Sequence, residues 1–186
     1  EYMNRHSTYI GQELVDVTRQ MFPLSTKRED TWLGGFSMGG YGALRNGLKY
    51  SDTFGIVIGL SSAFILEDYV KKGSGNGVTS NDYMEAMFGA PEEGLLASDK
   101  NPLWSAQQIV KAGKPLPKLY LSCGEQDGLI GGNIQFVEEM KKLGADITWN
   151  PSEGKHDWDF WEKEIRYLVR EWLPTEEKVG QETIGR

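Results

Sequence analysis

Cysteine, histidine and long apolar runs are all scarce in this sequence. Its 186 residues include one cysteine, Cys123, and two histidines, His6 and His156. A single cysteine excludes an internal disulfide and is compatible with a cytoplasmic location, which we expect. With so few histidine and cysteine ligands, no transition-metal site is expected, and no motif predicts another cofactor. The most apolar run, residues 55–60, is far too short to span a bilayer, so no membrane partner is expected.

Basic residues are also in deficit. Lysine and arginine number 20 against 27 aspartate and glutamate residues, which gives a formal net charge of −7. This balance argues against nucleic acid or an anionic membrane surface as the main partner. The remaining composition, with 39% hydrophobic and 25% charged residues, is typical of a soluble globular protein of about one domain.

Apolar stretches alternate with helical spacings along the chain. Four stretches are predicted to be strands, residues 31–36, 54–61, 118–123 and 146–150. Helical spacings separate or flank them, at residues 6–22, 38–50, 133–143 and 158–172. The alternation predicts an α/β fold with a mostly parallel sheet and helices on both faces. In such sheets the functional site lies at the carboxyl ends of the strands.

Two of these helices carry apolar rows that we expect to be buried. The row of the first helix comprises Ile10, Leu14, Val17 and Met21. The row of the last helix comprises Trp158, Trp161, Ile165, Leu168 and Trp172. Each row follows the i, i+3, i+4 spacing of an amphipathic helix, which predicts one face packed against the sheet.

The long segment between the second and third strands is less regular. Residues 62–114 include a glycine-rich loop at 73–77, which predicts flexibility, and more aromatic residues than a plain surface connection needs. We therefore expect a partial lid over a pocket here, although a plain connection is the alternative. Residues 1–173 are predicted to form one domain, with 174–186 as a polar tail.

A glycine-rich turn joins the first predicted strand to its helix. Residues 35–39 have the sequence G-F-S-M-G, which matches the G-x-S-x-G pattern of a nucleophile elbow. In that turn Ser37 takes a positive φ, and a side chain at Gly35 or Gly39 is expected to collide with neighbouring backbone. A P-loop would need a lysine here, and a dinucleotide fingerprint would need glycine where Phe36 and Ser37 stand.

A serine nucleophile needs a base, and an imidazole base needs an acid to orient it. His156 follows the last predicted strand, whereas His6 lies upstream of the elbow. Asp127 follows the preceding strand, with Glu125 as its nearest rival. Asp157 adjoins His156 but is poorly aimed at a neighbouring ring, so a place in the first helical turn suits it better. The chain order Ser, Asp, His is that of α/β-hydrolases.

These motifs together resemble the esterase D and tributyrin esterase group, whose broader family includes feruloyl and acetylxylan esterases. The resemblance is carried by three stretches, G-F-S-M-G-G-Y-G-A-L, C-G-E-Q-D-G-L and G-K-H-D-W-D-F-W. It implies an α/β-hydrolase fold and a serine carboxylesterase that needs no cofactor. It further implies that Ser37 is the nucleophile, His156 the general base and acid, and Asp127 its orienting acid. The backbone N–H of Met38 would be one oxyanion donor.

Members of this group carry further strands and an oxyanion loop before the position where this chain begins. The pattern here gives about four core strands against about eight in the usual fold, so the elbow strand is expected to expose an apolar edge. We therefore expect the N-terminal strands to lie outside this chain, either in an upstream segment or in a second chain. Homo-oligomer formation stays open.

The resemblance implies a small-molecule ester as substrate, with short acyl groups as the leading expectation. Within the same chemistry, S-formylglutathione thioesterase and acetylxylan or feruloyl esterase activities are alternatives, as is acyl transfer to a sugar. A binding protein that keeps the fold without chemistry is the alternative from another class.

Overall fold

A parallel sheet of four strands runs through the part of the chain that the structure describes. This computed structural model describes residues 6–73 and 80–174. The strands are β1 (Trp32–Phe36), β2 (Ile56–Leu60), β3 (Lys118–Ser122) and β4 (Ile147–Trp149). They lie in the order β1-β2-β3-β4, and all three neighbouring pairs are parallel. The predicted α/β architecture is confirmed.

Helices precede, separate and follow the strands. They are α1 (Leu14–Met21), α2 (Met38–Lys49), α3 (Leu66–Lys72), α4 (Asn81–Phe88), α5 (Pro102–Lys111), α6 (Ile130–Lys142) and α7 (Trp158–Tyr167). Two π-helical turns extend this set, Tyr9–Glu13 before α1 and Leu168–Trp172 after α7. Within the described residues, no helix has both the length and the apolar character needed to cross a bilayer.

Alternate side chains of the strands pack on opposite faces of the sheet, as their period of two requires. On one face, Val57, Leu119 and Leu121 form a buried cluster with residues of α2, α5 and α6. On the other face, Leu60 and Tyr120 pack against α7 and the turn that follows it. The sheet is therefore covered on both sides, and β1 forms one edge with Trp32 38% exposed.

The first helical segment packs with a different face from the one its apolar row predicts. Leu14, Val17 and Met21 are 40%, 50% and 68% exposed. The buried residues are instead Ser7 and Gly11. Gly11 lies against the Tyr50 ring so closely that a β-carbon would be under 3.0 Å from it. The Ser7 hydroxyl donates to Asn46 of α2 at 2.7 Å. The buried face of this segment is therefore the one whose small residues allow close contact with α2 and Tyr50, not the one that carries the apolar row.

The apolar row of the last helix is also only partly buried. Trp161 and Leu168 are buried as predicted, but Trp158 is 67% and Ile165 44% exposed. Phe160 and the charged Glu164 take their places in the interior. Burial of a carboxylate on the sheet-facing side of a helix cannot be read from spacing, because it depends on partners elsewhere in the chain.

The described part of residues 62–114 forms α3, α4 and α5. Residues of α3 and α4 build a separate apolar cluster, which includes Tyr41 from α2. Polar contacts also bind this segment to α2. The Tyr41 hydroxyl donates to the carbonyl of Lys100, and Asp99 pairs with Arg45 at 3.6 Å and with Lys49 at 2.5 Å. The role of this segment as a lid stays a prediction. The loop at 74–77 and the tail beyond 174 lie outside the described residues.

Candidate active site

Ser37 stands in a strained turn between β1 and α2. Its φ of 55° and ψ of −123° lie outside the regions that side chains ordinarily allow. Neighbouring backbone fixes the turn. The N–H of Ser37 donates to the carbonyl of Leu60 at 2.9 Å, and the carbonyl of Ser37 accepts from the N–H of Ala63 at 3.0 Å. The end of β2 thus holds the serine at the carboxyl edge of the sheet.

Glycine is required at one side of this turn but not at the other. A β-carbon at Gly35 would lie well under 3.0 Å from the Gly39 carbonyl, so the predicted collision occurs there. A β-carbon at Gly39 would meet nothing within 4 Å, so the expectation for that position is wrong. Crowding falls on Gly40 instead, where a β-carbon would lie under 3.0 Å from the Ser62 hydroxyl. Gly39 lies on the open side of the first turn of α2.

Ser37, His156 and Asp127 lie in one hydrogen-bonded row. With the ring proton on Nδ1, His156 donates to Asp127 Oδ2 at 2.8 Å. Its Nε2 then accepts from the Ser37 hydroxyl at 2.9 Å. The residues are 119 and 29 positions apart in sequence, and each follows a strand, so the parallel sheet brings them together.

Asp127 is held from several sides. It is 3% exposed, and its Oδ1 accepts from the backbone N–H of Leu129 at 2.9 Å. Burial, followed by the charge of Asp127, raises the pKa of the Cys123 thiol to about 12. This cysteine therefore stays protonated at neutral pH and is not a nucleophile.

The rival side chains lie elsewhere. Glu125 is exposed, and Asp157 caps α7 by accepting from the N–H of Phe160 at 3.0 Å. His6 is exposed before the π-helical turn that precedes α1. Among the described residues, no group of three histidine, cysteine or carboxylate side chains is arranged to hold a metal ion.

Met38 follows the serine as the first residue of α2. Its backbone N–H has no acceptor within the helix, because the first four N–H groups of any α-helix lack one. The same helix end carries the positive pole of the helix dipole. Next to the candidate triad, a cleft of about 370 Å³ is lined by residues of three segments, namely Phe64, Ile65, Asp68, Asp127, Gly128, Leu129, Gly132 and His156.

Comparison with known proteins gives the family. A family model described as "Putative esterase" matches residues 1–170, nearly the whole chain. The chain belongs to this family. The match confirms the esterase resemblance that the three motifs predict. An acetyl esterase of Caldicellulosiruptor saccharolyticus is 40% identical over 167 residues, covering 89% of this chain. The chain spans 62% of the length of that relative.

Solved structures of esterases share the fold. A fluorophosphonate-binding serine hydrolase of Staphylococcus aureus, FphF, is 29% identical, with a TM-score of 0.73, and the match covers 84% of this chain and 59% of that one. An S-formylglutathione hydrolase of the same organism gives 28% identity, a TM-score of 0.69 and the same coverage. These likenesses confirm the α/β-hydrolase fold, which a ferulic acid esterase shares at 18% identity and a TM-score of 0.62.

Sequence reasoning missed residues that lie just behind the candidate triad. Ser61 takes a positive φ of 46° directly after β2, and its hydroxyl accepts from the indole N–H of Trp161. Trp161 was predicted only as part of an apolar row. The ordinary Ser61-Ser62 pair carries no pattern that distinguishes it from any loop serine, so only the tertiary contacts reveal it.

Proposed function

We propose that this chain carries the catalytic residues of a serine carboxylesterase that hydrolyses short acyl esters. The observation that carries the proposal is the continuous row from the Ser37 hydroxyl through His156 to the Asp127 carboxylate, with distances of 2.9 and 2.8 Å. Family membership and the 40% identical acetyl esterase support an ester as the substrate.

In the acylation step, His156 Nε2 takes the proton of Ser37 as Oγ attacks the carbonyl carbon of the ester. The Met38 N–H would then donate to the carbonyl oxygen as it gains negative charge, where one such donor is worth about 10²–10³ in kcat. When the tetrahedral intermediate collapses, His156 gives its proton to the departing alcohol. An acyl group stays on Ser37 Oγ.

In the deacylation step, a water molecule replaces the alcohol. His156 takes a proton from the water, the resulting hydroxide attacks the acyl carbon, and Ser37 Oγ leaves with the proton returned by His156. The Asp127 carboxylate holds the imidazole in the required tautomer and stabilises the imidazolium in both steps.

A thioester is the second candidate substrate, because the 28% identical neighbour is an S-formylglutathione hydrolase. The acyl carbon is attacked in the same way, and only the leaving group differs. The cleft beside His156 has apolar walls at Phe64, Ile65 and Leu129 and a carboxylate at Asp68. The Asp68 carboxylate would repel an anionic leaving group placed in this cleft, which favours an uncharged ester over S-formylglutathione.

The test uses the full-length protein. We expect turnover of nitrophenyl acetate and covalent labelling by a fluorophosphonate, with both lost in Ser37→Ala. Rates with an acetyl ester, tributyrin, S-formylglutathione and methyl ferulate then rank the substrates. Labelling that persists in Ser37→Ala would overturn the assignment of the nucleophile. A wild-type protein that neither turns over nor labels would favour the binding-protein alternative.

A further inference from the structure

A buried hydrogen bond behind the candidate triad joins Ser61 to Trp161. The indole Nε1–H of Trp161 donates to Ser61 Oγ at 3.2 Å. Ser61 is fully buried and Trp161 is 6% exposed. The bond links the end of β2 to α7, two elements 100 residues apart in sequence. Burial removes water as a competing partner, so each group depends on the other.

Trp161 contacts the imidazole that the proposed mechanism requires. Its ring centroid lies 5.0 Å from that of His156, with the two planes at 87°. The indole also stacks on Phe36, at 4.6 Å and 24°. Stacking fixes the plane of the indole, and the bond to Ser61 fixes its rotation within that plane. The surface presented to the His156 ring is therefore defined by both contacts.

The backbone of Ser61 supports a special role for this position. Its φ of 46° is one of two positive values among the non-glycine residues that the structure describes, and the other belongs to Ser37. Such a conformation costs a non-glycine residue roughly 1–2 kcal/mol, which glycine would avoid. At this strained position the Ser61 side chain makes a specific contact, its buried bond to Trp161.

We propose that Ser61 and Trp161 are positioning residues that set the orientation of His156 toward Ser37. The inference rests on the proposed function, because it assigns these residues to the same reaction. Trp161 contacts the imidazole ring, and Ser61 is fully buried behind it, so both residues act through His156. Their loss should therefore lower kcat and leave KM nearly unchanged.

Two variants of the full-length protein separate positioning from folding. Trp161→Phe keeps an aromatic ring and removes the N–H donor. Ser61→Gly removes the hydroxyl and leaves the Trp161 N–H unpaired, but it also relieves the backbone strain, which offsets part of that cost. Denaturant unfolding of each variant measures stability separately from activity. The matched control is Trp172→Phe. Trp172 lies on the turn after α7, and its indole N–H donates to Thr148 of β4 at 2.9 Å.

With nitrophenyl acetate we expect kcat to fall about 10- to 100-fold in both variants, the scale of a small misplacement of a reacting group. KM should change less than about twofold, and fluorophosphonate labelling should slow in parallel. The double variant should lose no more than the worse single one, because both remove the same bond. Trp172→Phe should keep the wild-type kcat.

Three results would overturn the proposal. Wild-type kcat in Ser61→Gly and Trp161→Phe would show that the bond does not orient His156. Losses that add in the double variant, or that appear equally in Trp172→Phe, would assign the effect to general packing. If a fluorophosphonate does not label the wild-type protein at Ser37, the proposed function fails, and this inference fails with it. In the first two outcomes the wild-type protein is still labelled, so the two kinds of failure can be told apart.

Discussion

Tyr120 donates its hydroxyl hydrogen to the carboxylate of Glu164 at 3.0 Å, and both side chains are buried. The same carboxylate accepts from Asn150 at 3.0 Å and from Ser152 at 3.1 Å. Burial, followed by the negative charge of Glu164, raises the pKa of Tyr120 above its ordinary value. The carboxylate thereby binds α7 to the segment between β4 and His156.

We expect Glu164→Gln to destabilise the protein by about 1–3 kcal/mol, because the amide NH₂ would face donors where the carboxylate offered acceptors. The matched control is Glu162→Gln on the same helix. Its carboxylate is exposed and pairs with Arg166 at 2.6 Å, so its loss should stay within about 0.5 kcal/mol. Denaturant unfolding of both variants measures the difference. Equal stabilities would mean that the buried carboxylate contributes nothing beyond packing.

The elbow gives a second pair of variants. Gly35→Ala should unfold or inactivate the protein, because its β-carbon would overlap the Gly39 carbonyl, which belongs to backbone and cannot rotate away. Gly39→Ala should be tolerated and can stabilise α2 by up to about 1 kcal/mol, since alanine favours helix and its β-carbon meets open space. Melting temperature and esterase rate test both. A Gly35→Ala protein as stable and active as Gly39→Ala would contradict the described turn.

The acid of the candidate triad can be tested against its rival. Asp127→Asn should lower kcat about 10³- to 10⁴-fold, because an amide at this position favours the wrong imidazole tautomer. Glu125→Gln should leave kcat near the wild-type value, because that side chain is exposed. Steady-state kinetics with nitrophenyl acetate provide the comparison. If the Glu125 variant lost the greater activity, the assignment of the acid would be reversed.

Asp99 binds the segment before α5 to α2 through Arg45 and Lys49 and gives a pH-dependent prediction. Burial alone would raise its pKa, but the hydrogen bond from Lys49 and the charge of Arg45 lower it below its ordinary value. A carboxyl group whose pKa is lower in the folded state than in the unfolded state stabilises the folded protein at pH values above its unfolded pKa of about 3.9. That stabilisation is lost as the pH falls through the folded pKa.

At pH 7 the wild-type protein should therefore have a higher melting temperature than Asp99→Asn. The difference between the two melting temperatures should become smaller as the pH falls from about 4 to 3. Asp52→Asn is the control. Asp52 pairs with Lys114 at 2.7 Å but is 78% exposed, so its loss should shift the melting temperature little at either pH. Melting curves of all three proteins across this pH range provide the test. A difference between wild type and Asp99→Asn that grows as the pH falls would contradict the lowered pKa of Asp99.

The local pattern determined much of this protein. Alternating apolar runs and helical spacings predicted the four strands of the described sheet and the helices α1, α2, α6 and α7, because an apolar run or a helical spacing is a local property of the chain. The G-x-S-x-G turn and the order of Ser37, Asp127 and His156 identified three residues that the structure places within hydrogen-bonding distance. Their agreement follows from the parallel sheet, which gathers strand ends at one edge.

Tertiary structure alone decided which helical faces are buried and what supports the triad. Gly11 and Ser7 pack inward because Tyr50 and Asn46 lie opposite them, and Glu164 is buried because donors from β3 and from the segment after β4 converge on it. The strained Ser61 and its bond to Trp161 join positions 100 residues apart. The spacing of apolar residues within one segment does not predict these contacts with distant residues. The free energy of burying a polar group depends on the atoms that pack against it, and those atoms come from other segments.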